Sequence, residues 1–280
     1  MKSIDDVHSI VGPDYTVIEG LGLPGMFLAV TNNNNNNISI LNDNPQISYA
    51  TPNEEVDTES VLDRTPNDTD YDTEMWGLNT LQGINVEDLW DTGVGSRNVI
   101  LVVSDTGVDT VHPDLSDNIA AINSYTTDGD THGTHVAGTI GAVGNNNRGV
   151  TGVNWNVSIV NEPTIMVPGG GTWTISWAAS SLNRIAAMAN SGENVRAVNC
   201  SWRVDNPTAS WFPVLDAFEA IDNADVMICC SAGNGNANND NLQRLPSCYG
   251  IENNRTLTLD SIRRIRLSNM ISVAAHDRQG

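Results

Sequence analysis

Two histidines stand three residues apart in DGDTHGTHVAGTIGAVG, residues 128–144, hemmed by threonine and glycine. His132 and His135 could share one helix face as a metal pair. That spacing, with no third histidine or carboxylate on the same helix, is a weak zinc pattern. Proton transfer is the other chemistry open to them. A ring that opens a helix sits at the positive end of the helix dipole, which disfavours a further positive charge there. With a carboxylate orienting one nitrogen, the other can act as a base. Asp130 or Thr131 is the expected cap, and His132 can equally be a capping-region histidine satisfied by backbone.

Two further polar residues follow apolar runs. Asp105 ends NVILVVSD (98–105) and precedes Thr106-Gly107, either as a turn-forming aspartate or as a carboxylate presented at a strand end. Asn234 lies in CCSAGNGNANND (229–240). It can occupy a left-handed turn between glycines, or donate to a developing negative charge.

The elements that must position these residues read clearly from about residue 76. NVILVVSD is β-branched and almost continuously apolar, as in a strand buried on both faces. HGTHVAGTIGAVG has helix length and small residues on every side, suited to close packing on a sheet. NVSIVNEPTI reads as a strand interrupted by Pro163, and WTISWAASSLNRIAAMANSG as a helix stopped by Gly192. RAVNCSW, VMICCSAG and MISVAA (270–275) read as strands, and SWFPVLDAFEAIDNA as a helix with Pro213 in its first turns. Strands alternating with helices predict a mostly parallel sheet covered on both faces. Ligands gather beyond the carboxyl ends of such strands, where Asp105, Ser201 and SAGN (231–234) fall.

Taken in order, VVSDTGVDTVHPDL (102–115), HGTHVAGTIGA (132–142) and NCSW with CCSAGNG closely resemble the subtilisin-like serine peptidases. The resemblance covers residue 66 to about 241, then 269–280. It implies an α/β three-layer sandwich and peptide-bond hydrolysis, with Asp105 orienting the base, His132 as general base and Asn234 donating to the oxyanion. Ser201, Trp202 and Arg203 would line the channel that takes an extended peptide. GNNNRGVTGV (144–153) resembles the family's calcium loop, with Asn146 as a ligand and Asp114 and Asp68 supplying carboxylates. Oxygen ligands from loops suit that hard cation. Residues 39–57 resemble the last strand and exit of an inhibitory propeptide. The expected division is therefore a partial propeptide and linker over 1–65 and an incomplete peptidase domain over 66–280, with the native start and a secretion signal upstream.

The family places its nucleophile in a Gly-Thr-Ser-Met-Ala segment, and no such segment occurs in the 280 residues. Cleavage by this chain is therefore not expected, because a base with nothing to deprotonate is idle. Thr131 replaces the glycine usual before the histidine, and Arg203 stands where the substrate strand normally has glycine. The stretch 242–268 departs further, with Arg263, Arg264 and Arg266 unusual in so acidic a chain. Two other readings stay open: a peptide-binding protein without a nucleophile, and a metal hydrolase using His132 and His135.

Composition narrows the partners. The formal net charge is −21, from 34 acidic against 13 basic residues, which argues against nucleic acid and suits a soluble protein. Protein or peptide substrates, secretion and a monomeric state are what the family resemblance implies. Four cysteines (Cys200, Cys229, Cys230, Cys248) are too few for a disulfide scaffold, although one disulfide stays open. No run of 18 apolar residues exists to span a membrane. The asparagine run 32–37 reads as a loop between two short strands, and NPQISYATPNEEVDTESVLDRTPND (44–68) as an acidic linker punctuated by proline.

Overall fold

Val102 and Val103 are sequence neighbours, both fully buried, and they belong to two different apolar clusters. Successive strand residues point to opposite faces, so their strand has helices or loops packed on both sides. The computed structural model describes residues 4–20, 27–31, 38–48, 50, 64–79, 83–122, 125–166, 168–169, 173–205, 207–235, 244–247 and 267–275. Two compact units divide the chain, Met1–Ser60 and Val61–Gly280.

In the first unit, helix α1 (Ile4–Val11) precedes an antiparallel pair, β1 (Tyr15–Gly20) with β2 (Phe27–Thr31), and a short helix α2 (Ser39–Asn42). The strand expected at the start of 39–57 is not formed; α2 stands there. Asparagine side chains supply the reason by bonding to local backbone. Asn42 Oδ1 accepts from Ala50 N at 2.6 Å, and Asn44 Oδ1 accepts from Gln46 N at 2.9 Å. The asparagine run 32–37 lies outside the described residues, with a strand before it but a helix after it. Residues 51–63 lie outside as well.

The second unit starts with helical turns α3 (Tyr71–Glu74), α4 (Trp76–Asn79) and α5 (Glu87–Trp90). Strand β3 (Gly95–Asp105), helix α6 (His132–Gly141), strand β4 (Asn156–Pro163), helix α7 (Ile175–Asn190) and strand β5 (Val195–Cys200) follow. Then come β6 (Val204–Asp205), α8 (Phe212–Asn223), β7 (Met227–Ser231), β8 (Arg244–Leu245) and β9 (Met270–Val273). The main sheet is five-stranded and parallel in the order β4-β3-β5-β7-β9. Leu182 and Ile185 of α7 and Val214, Phe218 and Ile221 of α8 pack with Val102 and Val198 on one face. Ala137 of α6 packs with Val103, Val157 and Ile159 on the other. Each fully buried aliphatic chain in these layers contributes about 1.5–3 kcal/mol.

The α/β three-layer reading is therefore the observed fold. Pro163 closes β4 opposite Asp105, and α7 ends just before Gly192, whose φ is +98°. Because the strands are parallel, β3, β5 and β7 all end at one edge of the sheet. Cys200, Cys229 and Cys230 stand as thiols outside any disulfide, while Cys248 and the arginine-bearing 248–266 lie outside the described residues.

Candidate active site

Asp105 is the last residue of β3 and is wholly buried. Its Oδ1 lies 2.6 Å from His132 Nδ1 and accepts from Thr106 N at 2.7 Å. Burial lifts the Asp105 carboxyl above its ordinary range, against the pull of hydrogen bonds from His132 and Thr106. Oδ2 is buried without a hydrogen-bond partner among the described residues. An ionised carboxylate accepts only, so the neutral imidazole carries its proton on Nδ1. Nε2 is then the acceptor, on a ring whose side chain is 50% exposed. A fixed tautomer with an open basic nitrogen is what proton abstraction requires.

His132 opens α6, and the helix start is held from a distance. Neither expected cap serves: Thr131 makes no side-chain cap bond and sits at φ +72°, and Asp130 gives no carboxylate to the helix amides. Thr106 Oγ1 instead accepts from Gly133 N at 2.9 Å, and Asp128 Oδ2 accepts from Thr134 N at 2.9 Å and Thr134 Oγ1 at 2.6 Å. Thr106 Oγ1 also donates to Asp128 Oδ1 at 2.8 Å. Burial works to raise the Asp128 carboxyl, and hydrogen bonds led by Thr134 outweigh it and hold it low. Gly133 is required by close approach: a Cβ there would collide with the Gly107 carbonyl and sit 3.1 Å from Asp105 Cβ.

Ser201, Trp202 and Arg203 leave the end of β5 at the same sheet edge. Ser201 Oγ accepts from Asn199 Nδ2 at 2.8 Å. Trp202 is buried, its ring 6.0 Å from Phe218 and its Nε1 donating to Ser104 Oγ at 3.3 Å, one residue before Asp105. Arg203 is exposed. Asn234 lies in the bend after β7 and is also exposed. His135 is exposed on α6, and no group of three His, Cys, Asp or Glu side chains suited to a metal occurs among the described residues.

Asp68, Asp114 and Asn146 come together elsewhere. Asp114 Oδ1 accepts from Asn146 Nδ2 at 2.7 Å and its Oδ2 from Val150 N at 3.0 Å. Gly149, at φ +46°, makes room, since a Cβ there would lie 2.6 Å from Asp114 Oδ2. Asp68 Oδ2 accepts from Asn145 N at 2.7 Å. Asp68 Oδ1 and Asn146 Oδ1 are both buried without a hydrogen-bond partner among the described residues. Burial, with the charge of Asp114 adding to it, raises the Asp68 carboxyl. Two orphaned oxygens beside two carboxylates fit a hard cation, provided backbone carbonyls complete its shell.

Sequence reasoning missed Thr106, Asp128 and Thr134. The available signal was Asp128, an aspartate four residues before the histidine and outside the position adjoining the helix where a cap is ordinarily expected.

Comparisons with known proteins give the family. Thermitase of Thermoactinomyces vulgaris is 35% identical over 155 residues, 49% of this chain and 54% of that protein. A thermophilic serine proteinase of Bacillus sp. strain AK1 is 31% identical over 206 residues, 71% of this chain and 47% of that protein. The chain thus spans about half the length of these curated relatives. A solved protease from Pseudoalteromonas arctica aligns with a TM-score of 0.50 and 27% identity, covering 65% of this chain and 62% of that one. The family model described as the subtilase family matches residues 96–280, both strand-end motifs included. The chain belongs to the subtilase family of subtilisin-like serine peptidases.

Proposed function

We propose that this protein is a secreted serine-type endopeptidase whose acid–base machinery is the Asp105–His132 pair. The 2.6 Å Nδ1–Oδ1 contact carries the proposal. Asp105 holds the ring and its tautomer, and Nε2 accepts the proton of an attacking hydroxyl. The Asn234 amide donates to the carbonyl oxygen as charge develops. Ser201 to Arg203 hold the peptide in extended form.

The nucleophile is the open half. The 280 residues contain no Gly-Thr-Ser-Met-Ala segment, and among the described residues no hydroxyl is hydrogen-bonded to Nε2. Residues 1–280 on their own are thus expected to be inert. Incubation with casein and with a fluorophosphonate is predicted to give neither cleavage nor a labelled serine, and labelling at any serine overturns this part of the proposal.

Calcium belongs to the same proposal. Asp68, Asp114 and Asn146 would hold it, and its charge would offset two crowded carboxylates. The segment 67–70 is already tied to 145–149, with Asn147 N donating to Asn67 Oδ1 at 2.8 Å and Asp70 N to Gly149 O at 2.8 Å.

A second reading, a peptide-binding protein without catalysis, is favoured by the retained edge 201–203 alongside the missing serine motif. It predicts affinity for extended peptides in calorimetry, weakened by changes at Ser201 to Arg203. Absence of binding ends it.

A further inference from the structure

We infer that the strand-end region beside Asn234 takes an acidic side chain of an extended peptide, recognised by the guanidinium group of Arg203. The inference rests on the peptidase reading and names its substrate class.

β5 and β7 are hydrogen-bonded neighbours, so their continuations 201–203 and 232–234 leave the sheet from adjacent strands. Both arginines converge on Gly233, the residue before Asn234. Arg244 Nη1 lies 3.2 Å, and Arg203 Cδ and Nη1 lie 3.5 and 3.6 Å, from where a Cβ on Gly233 would sit. The short antiparallel pair β6–β8 brings Arg244 there, by setting it opposite Asp205. Arg244 is a buried cation, its side chain 6% exposed, donating from Nε to Asp205 Oδ1 at 2.8 Å and from Nη1 to Ala232 O at 3.4 Å. Arg203 is more open, at 37%, and donates from Nε to both Asp205 oxygens at 3.3 Å. Its terminal nitrogens have no hydrogen-bond partner among the described residues.

Asp205 engages only Nε of Arg203, so the terminal nitrogens of that guanidinium remain available as donors, in a chain of net charge −21. A guanidinium fork with free donors matches a carboxylate in charge and shape. The general field of so acidic a protein repels acidic ligands, so the open guanidinium of Arg203 is a local exception at the strand ends where the proposed peptide would lie. A glutamate or aspartate side chain pointing between the two loops would meet Arg203 directly, with Arg244 behind it.

The test is fluorescence anisotropy of the 280-residue protein with labelled, C-terminally amidated peptides that differ only at one central residue, Glu, Gln or Lys. The Glu peptide is expected to bind about tenfold tighter than the Gln peptide, the scale of a hydrogen bond to a charged group, and the Lys peptide more weakly than both. Arg203→Ala should abolish the difference and Arg203→Glu should shift it toward Lys. Arg244→Gln, with its fold checked by circular dichroism, should shrink it. Equal affinity for all three peptides overturns the inference and leaves the peptidase reading standing. Binding of none overturns both. A Gln peptide with a free C-terminal carboxylate that binds as tightly as the Glu peptide overturns the side-chain assignment, because the region would then take a chain end.

Discussion

Thr106 Oγ1 accepts the amide of Gly133 at 2.9 Å, joining the residue after Asp105 to the residue after His132. The carboxylate and the imidazole are thus paired twice, once through their own side chains and once through those of their neighbours. Displacing the helix start would move the ring relative to its carboxylate, so the cap and the proton-transfer pair are one mechanical unit.

Removing that cap should be felt in both stability and ring geometry. Thr106→Val leaves the Gly133 amide without its acceptor and is expected to cost about 1–2 kcal/mol, whereas Thr106→Ser should retain most of it. Urea denaturation of the two variants checks this, and equal stability of Thr106→Val and the parent would contradict it.

Asp128 contributes in a pH-dependent way. Its native carboxyl titrates below the unfolded value because hydrogen bonds led by Thr134 favour the charged form over the opposing effect of burial. Its stabilisation is therefore present above the unfolded value, near about 3.9, and is lost as pH falls through the lower native value. Asp128→Asn should flatten that acid limb of the stability curve, as followed by thermal unfolding at stepped pH.

Thr131 is a β-branched residue at φ +72°, a conformation that only glycine takes without strain. Thr131→Gly is expected to stabilise the protein by about 1 kcal/mol. Chemical denaturation measures the change, and a loss of stability would show that the threonine side chain makes a compensating contact.

The cation site predicts a linkage with a definite sign. The native Asp68 carboxyl titrates above its unfolded value, from burial and then from the charge of Asp114. Without a cation, ionising it costs folding free energy; the cost is absent below the unfolded value, near about 3.9, and complete above the raised native one. Calcium should remove the cost, so the melting temperature at neutral pH should rise with calcium and fall with chelator. Asp68→Asn should lose most of that response, and an unchanged response would contradict the assignment.

The scaffold was legible because its elements are coded locally. The apolar run 98–105 and the small-residue helix 132–141 carry their own period and length, and parallel alternation put Asp105, Ser201 and Asn234 at one edge. What stayed hidden acts across sequence. Gly133 is capped from Thr106, 27 residues away, whereas local sequence points to the adjacent Asp130 and Thr131. Arg244 reaches the Gly233 bend only through a two-residue pairing with Val204 and Asp205, which no hydrophobic pattern announces. The helix at 39–42 displaced an expected strand because Asn42 and Asn44 bond to nearby backbone, which periodicity does not register.

The Asp105–His132 pairing is read out by the tautomeric state of one ring, through ¹⁵N-detected NMR of histidine-labelled protein followed across pH, with Asp105→Asn for comparison. The neutral ring is expected to show a single tautomer with the proton on Nδ1 and a strongly deshielded Nδ1–H resonance, lost in the variant. A proton resident on Nε2, or rapid averaging between tautomers in the parent, would contradict it.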